Sequence, residues 1–244
     1  MENKVVLVTG SSKGIGATTI KEFAKNGYNV VINYNNSVNE ASELEEYILE
    51  KYDVKALKIK CDITKENEVQ DMVKTIIDKF GHIDVLVNNA GIAIDTLVEE
   101  KTIDDFNKTI NTNLIGPFIC SRECYKYMDE NSSIIMITST NGIDTYYPYS
   151  LDYDASKAGL ISLMHNLAVE YSPKVRVNAV APGWVNTEMN KNLDEEYIEE
   201  ECKNILLKRF AEPEEIASVI CFLASDKASF INNEVIRVDG GQRC

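Results

Sequence analysis

The sequence predicts a single-domain, doubly wound α/β protein whose parallel sheet of about seven strands is covered by helices on both faces. Three observations predict it. Short β-branched runs recur along the 244 residues, longer amphipathic stretches fill the intervals, and segments rich in glycine, serine and asparagine fall just after the apolar runs. Continuous apolar strands alternating with helices are the pattern of βα units in a sheet buried on both faces.

The elements follow in order. KVVLVT (4–9) leads through TGSSKGIG, Thr9 to Gly16, into the amphipathic GATTIKEFAKNG (16–27). NVVIN (29–33) ends in the polar NYNNS, and VKALKIKC (54–61) ends at Asp62 and Ile63. EVQDMVKTIIDKFG (68–81) supplies a helix before IDVLVN (83–88), which runs into NNAG, Asn88 to Gly91. SIIMITS (133–139) closes at Ser139, and AGLISLMHNLAVEYS (158–172) precedes KVRVNAV (174–180) and finally EVIRV (234–238). Seven strands in one alternating series need no second domain, and no repeat or linker interrupts residues 1–244. The charged segment 186–212, NTEMNKNLDEEYIEEECKNILLKRFAE, is a helical insertion placed to lie over a cleft.

Composition narrows the function. Apolar residues make up 44% and charged residues 26%, the balance of a water-soluble domain. No run approaches the roughly 18 apolar residues that a membrane span needs, and MENKVVLVTG goes straight into strand-like sequence, so the expectation is a cytoplasmic protein. A net charge of −14 disfavours nucleic acid and acidic membrane surfaces as partners. Cys61, Cys120, Cys124, Cys202, Cys221 and Cys244 form no C-x-x-C pair, and read as small buried thiols rather than a metal site.

In a doubly wound sheet, ligands bind beyond the carboxyl ends of the strands. TGSSKGIG follows the first strand and opens a helix, so its backbone N–H groups and the helix N-terminus suit a dinucleotide phosphate, although its glycines, Gly10, Gly14 and Gly16, depart from G-x-G-x-x-G. A similar turn also serves as a plain βα connection. YDASK (153–157) places Tyr153 and Lys157 one turn apart on a helix, downstream of Ser139 at a strand mouth. Tyr47 and Lys51 repeat the spacing inside the charged SELEEYILEKYD, with no strand-end serine beside them, and read as a solvated face. The chain has two histidines, His82 and His165, both in structural contexts, so a tyrosine is the candidate for moving protons.

TGSSKGIG, NNAG, Ser139, YDASK, APGWVNTEM and the terminal VDGG, in that order and near-normal spacing, together resemble the short-chain dehydrogenase/reductase family, and within it the 3-oxoacyl carrier-protein reductase type. The resemblance runs from about residue 4 to 241 and implies a Rossmann-like fold. It implies that Tyr153 is the general acid/base, that Ser139 holds the substrate oxygen, that Lys157 lowers the tyrosine pKa and grips the nicotinamide ribose, and that Asn113 anchors a water relay to that lysine. A free tyrosine pKa of about 10 would have to fall by roughly 3, or about 4 kcal/mol, and a charge about 5 Å away contributes on the order of 3 kcal/mol at an effective dielectric near 20.

For the cofactor, the resemblance implies Gly10, Ser12, Lys13 and Ile15 at the phosphates and Asn33, Tyr34 and Asn35 at the end of the second strand. Asp62 and Ile63 match the adenine pair, Asn89 and Gly91 the ribose and nicotinamide side, and Pro182, Gly183, Val185 and Thr187 the nicotinamide amide. NAD enzymes carry an acid at the end of strand two; NYNNS (33–37) has none and Lys13 offers a cation, so NADP(H) is expected rather than NAD(H). The implied activity is reduction of a ketone, a 3-oxoacyl thioester or related carbonyl, by a homotetramer. The rivals are a sugar, steroid or polyol dehydrogenase of the same family and a non-catalytic nucleotide-sensing module. Three features depart from the carrier-protein type: a Ser139-to-Tyr153 gap one residue longer, the tyrosine-rich loop DTYYPYSLD, and Asn233 in place of a glycine. The face where an acidic carrier would dock carries Asp129 and Glu130 and no basic cluster.

Overall fold

Each apolar run becomes a parallel strand in the computed structural model, which describes residues 3–144, 146–191 and 193–242. The strands are β1 (Val5–Val8), β2 (Asn29–Tyr34), β3 (Ala56–Lys60), β4 (Val85–Asn88), β5 (Ser132–Ile137), β6 (Val175–Pro182) and β7 (Val235–Val238). They form one seven-stranded sheet in the order β3-β2-β1-β4-β5-β6-β7. The helices are α1 (Gly14–Lys25), α2 (Val38–Lys51), α3 (Glu66–Phe80), α4 (Ile103–Ile110), α5 (Gly116–Tyr125), α6 (Leu151–Tyr171), α7 (Glu195–Asn204) and α8 (Pro213–Ala224).

The register explains why continuous apolar strands were needed. Leu7 pairs with Val31 and Leu86, and all three point into the layer beneath α3, α5 and α6. Val6 pairs with Val30 and Val85, and these point to the other face, against Ile20 and Phe23 of α1, Leu44 and Ile48 of α2 and Ile220 of α8. Each fully buried side chain of this kind contributes roughly 1.5–3 kcal/mol, and a polar residue on either face would lose it.

Two details depart from a plain reading of the sequence. A π-helical turn, Asn111–Ile115, joins α4 to α5, and within it Asn113 turns its amide toward the backbone of Ile92. Such turns inside helices occur often at functional sites. The charged segment after β6 becomes a short 3-10 turn, Glu188–Asn190, followed by α7.

Candidate active site

The chain leaves β1 toward one edge of the sheet, returns through β4, and continues to the other edge, so the strand order reverses between β1 and β4. A cleft of ≈ 1260 Å³ opens at the carboxyl ends of the strands there. Side-chain hydrogen bonds hold its floor. Asn89 Nδ2 donates to the carbonyls of Thr9 (2.9 Å) and Gly10 (3.1 Å), and Thr9 Oγ1 accepts from the N–H groups of Asn89 and Ala90. Asn33 Oδ1 accepts from Gly10 N–H at 3.0 Å while its Nδ2 donates to Cys61 O at 3.1 Å, tying β1, β2 and β3 together.

Ser139, Tyr153 and Lys157 all line this cleft. Ser139 caps a 3-10 turn, Thr140–Gly142, by accepting from Asn141 N–H at 3.2 Å. That turn sits directly on α6: a Cβ on Gly142 would stand 2.6 Å from the Lys157 carbonyl carbon, a contact only glycine permits. Lys157 is buried, with its ammonium donating to Ile137 O at 2.8 Å and lying 5.4 Å from the Tyr153 ring centre.

The electrostatics correct one expectation. Burial pushes the Tyr153 phenol up to about 12, the Ser139 hydroxyl pulls it down, and Asp154 and Asp95 push it further up. Burial also pushes the Lys157 ammonium down to about 8. The lysine therefore does not bring the tyrosine toward neutrality; burial dominates. The phenol is protonated at neutral pH and the lysine is mostly charged.

The cofactor residues divide. Gly10, Lys13, Ile15, Asn33, Asn35, Asp62, Ile63, Asn89, Gly91, Pro182, Gly183, Val185 and Thr187 line the cleft. Ser12 and Tyr34 do not; the Tyr34 ring packs against the core layer shared by α1, α2 and α8. Lys13 is not a free cation, because its Nζ lies 2.6 Å from Glu40 Oε1 on α2. Asn113 is wholly buried behind the cleft wall, accepting from Ile92 N–H (2.9 Å) and donating to Ile92 O (2.9 Å) and Ser156 Oγ (3.0 Å). A Cβ on Gly91 would stand 3.4 Å from Asn113 Oδ1 and 3.5 Å from Lys157 Nζ, so this glycine keeps clear the space in front of the lysine. The size of the cleft, that cradle and the polar strand ends fit a dinucleotide.

The other candidates fall away from the site. His82 Nε2 contacts Asp84 and His165 Nδ1 contacts Asn233, whose φ of 65° is one asparagine tolerates. Lys51 donates to the Tyr47 hydroxyl on an exposed helix face. Cys61, Cys120 and Cys124 are buried, Cys202 and Cys221 are partly so, and Cys244 lies outside the described residues. No group of three or more His, Cys, Asp or Glu among the described residues is arranged to hold a metal.

Sequence reading marked this end of the cleft only as whole segments, the charged 186–212 and the tyrosine-rich 144–152, and not residue by residue. Asn190, Leu193, Tyr197, Glu201 and Asn204 of the charged segment border the cleft together with Asp95 and Tyr147. The Trp184 indole N–H donates to Glu201 Oε2 at 2.8 Å, and its ring stacks on Phe210 at 5.4 Å. Burial and the charges of Asp95 and Glu201 push the Tyr147 phenol up.

Comparison with known proteins agrees with this geometry. A family model described as enoyl-(acyl carrier protein) reductase matches residues 10–243. The chain is 39% identical to a 3-oxoacyl-[acyl-carrier-protein] reductase of Staphylococcus epidermidis over 242 residues, 98% of each chain. It is 34% identical to glucose 1-dehydrogenase 2 of Bacillus subtilis, covering 99% of this chain and 95% of that one. Among solved structures, a short-chain dehydrogenase from Burkholderia cenocepacia in complex with NADP superposes with a TM-score of 0.94 at 29% identity, over 98% of both chains. With its fold, its cleft and a family model matched over nearly its whole length, the chain belongs to the short-chain dehydrogenase/reductase family.

Proposed function

We propose that this enzyme is an NADP(H)-dependent reductase that converts a ketone to a secondary alcohol, with one domain binding cofactor and substrate. The observation that carries the reading is the convergence of Ser139, Tyr153 and Lys157 on one cleft at the point where the strand order reverses. Bound NADPH would supply the hydride. The Ser139 hydroxyl, at the strand mouth, donates to the substrate carbonyl oxygen. Tyr153 then gives its proton to that oxygen, and a phenol held at about 12 is in the protonated form this direction requires. Lys157 would stabilise the tyrosinate left behind and bind the cofactor ribose, a role supported by the glycine at position 91 beside its ammonium. Asn113 acts from behind the wall by fixing Ile92 and Ser156, rather than by touching the reacting atoms.

NADP(H) rather than NAD(H) is supported by the absence of an acid in residues 33–37 and by Lys13 at the mouth of the cleft. The 3-oxoacyl thioester substrate rests on the 39% identity to carrier-protein reductases. A sugar or polyol substrate is the second reading, favoured by the glucose dehydrogenase relative and by the carboxylates and tyrosines at the substrate end. Assembly as a homotetramer belongs to the same reading, because Ile115, Phe118 and Val169 stand exposed on α5, α6 and the turn before α5. The test is NADPH oxidation with a panel of β-keto esters, coenzyme A thioesters, sugars and steroids. Turnover of a β-keto compound supports the first reading, turnover of a sugar alone supports the second, and turnover of none contradicts both.

A further inference from the structure

The most deeply buried ion pair in the described chain lies one residue from the catalytic tyrosine. Lys101 Nζ stands 2.9 Å from Asp152 Oδ1, with side-chain exposures of 4% and 0%. Each of the other ion pairs keeps at least one partner more than a quarter exposed. Neither Asp152 oxygen has a well-aligned hydrogen bond, so the lysine charge compensates the buried carboxylate. Burial alone would push that carboxyl up, but the Lys101 ammonium and the Thr109 hydroxyl hold it below its ordinary value.

Stability is a weak reason to keep such a pair, because matched uncharged side chains usually serve as well or better. Its position offers a stronger one. Lys101 ends the segment 92–101, whose Ile92, Ala93 and Asp95 line the cleft. The Lys101 ammonium also donates to Ile94 O, closing that segment on itself. Thr96 N–H donates to Tyr149 O at 3.0 Å. At the other end, Asn113 grips Ile92 and Ser156, and Ser156 Oγ donates to Tyr153 O at 2.7 Å. The segment is thus tied to Tyr149, Asp152 and Ser156, a stretch that contains Tyr153.

We propose that Lys101 and Asp152 are positioning residues that fix the substrate wall 92–101 against the first turn of α6, setting the distance between a bound carbonyl and the Tyr153 phenol. This rests on the reductase reading for its activity arm. The wall lies on the substrate side, so the pair acts on the carbonyl and leaves cofactor binding alone.

The test is the double variant Lys101→Met with Asp152→Leu, which removes both charges and leaves no unpaired polar atom on either side chain. Three properties are measured beside wild type: NADPH affinity, kcat/KM with ethyl acetoacetate, and amide hydrogen exchange. The expected result is an affinity within about threefold, kcat/KM lower by at least about tenfold, and exchange across 93–101 faster by about tenfold with α3 and α8 unchanged. Wild-type kcat/KM together with unchanged exchange would overturn the proposal, and so would failure of the double variant to fold, since the pair would then serve the fold and not the wall. Inactive wild type on every carbonyl would instead contradict the reductase reading, and the exchange measurement would still decide the role of the pair.

Discussion

At the residue scale, the proposed chemistry turns on two groups whose proton affinities the fold moves in opposite directions. Tyr153 is held as a phenol at about 12 and Lys157 as an ammonium at about 8. The proposed reduction would need the protonated form of both. As pH rises, the lysine is the first to lose its proton, so kcat/KM for reduction should be level near neutrality and fall above about pH 8. Lys157→Met should lower kcat/KM and remove that limb. A limb at the same pH in the variant would assign it to another group. Ser139, Tyr153 and Lys157 were all visible in the sequence, because a strand-end serine before a Tyr/Lys pair is a local pattern. Their pKa directions were not, since desolvation is set by residues packed around α6 from elsewhere in the chain.

At the element scale, the contact between the α1 turn and α2 would bear on the proposed choice of cofactor. Lys13 is paired with Glu40 in the first turn of α2, so a cofactor 2′-phosphate would compete with that carboxylate for the lysine. Lys13→Ala should weaken NADPH by about tenfold and NADH little, because only NADPH presents a 2′-phosphate. Glu40→Gln should tighten NADPH several-fold by releasing the lysine. Equal effects on both cofactors, measured by fluorescence titration, would show that Lys13 meets another part of the molecule. The order of elements was legible throughout: every apolar run became a strand within a few residues of its predicted bounds. Contacts between distant elements were not. Nothing near Lys101 points to Asp152, nothing near Lys13 points to Glu40, and nothing near Asn113 points to Ile92 and Ser156, which its amide meets from the π-helical turn.

At the scale of the whole molecule, a net charge of −14 acts on any acidic partner. Asp129 and Glu130 remain exposed between α5 and β5, so an acidic carrier protein gains little steering there. Attaching the same acyl group to a carrier rather than to a short thioester should therefore raise kcat/KM only modestly. A preference of about 100-fold, near 2.7 kcal/mol, that falls with added salt would reveal a basic docking surface. No helix among the described residues is long and apolar enough to cross a membrane.

The most direct test of the chemistry is Tyr153→Phe, which keeps the ring and its packing and removes only the proton donor. Turnover of NADPH with the best carbonyl of the panel would be measured beside NADPH affinity. The expected result is a loss in kcat of about 10²-fold or more, with affinity within about threefold, since general acids contribute roughly 10²–10⁴-fold. Retention of more than about a tenth of the wild-type kcat would contradict Tyr153 as the acid.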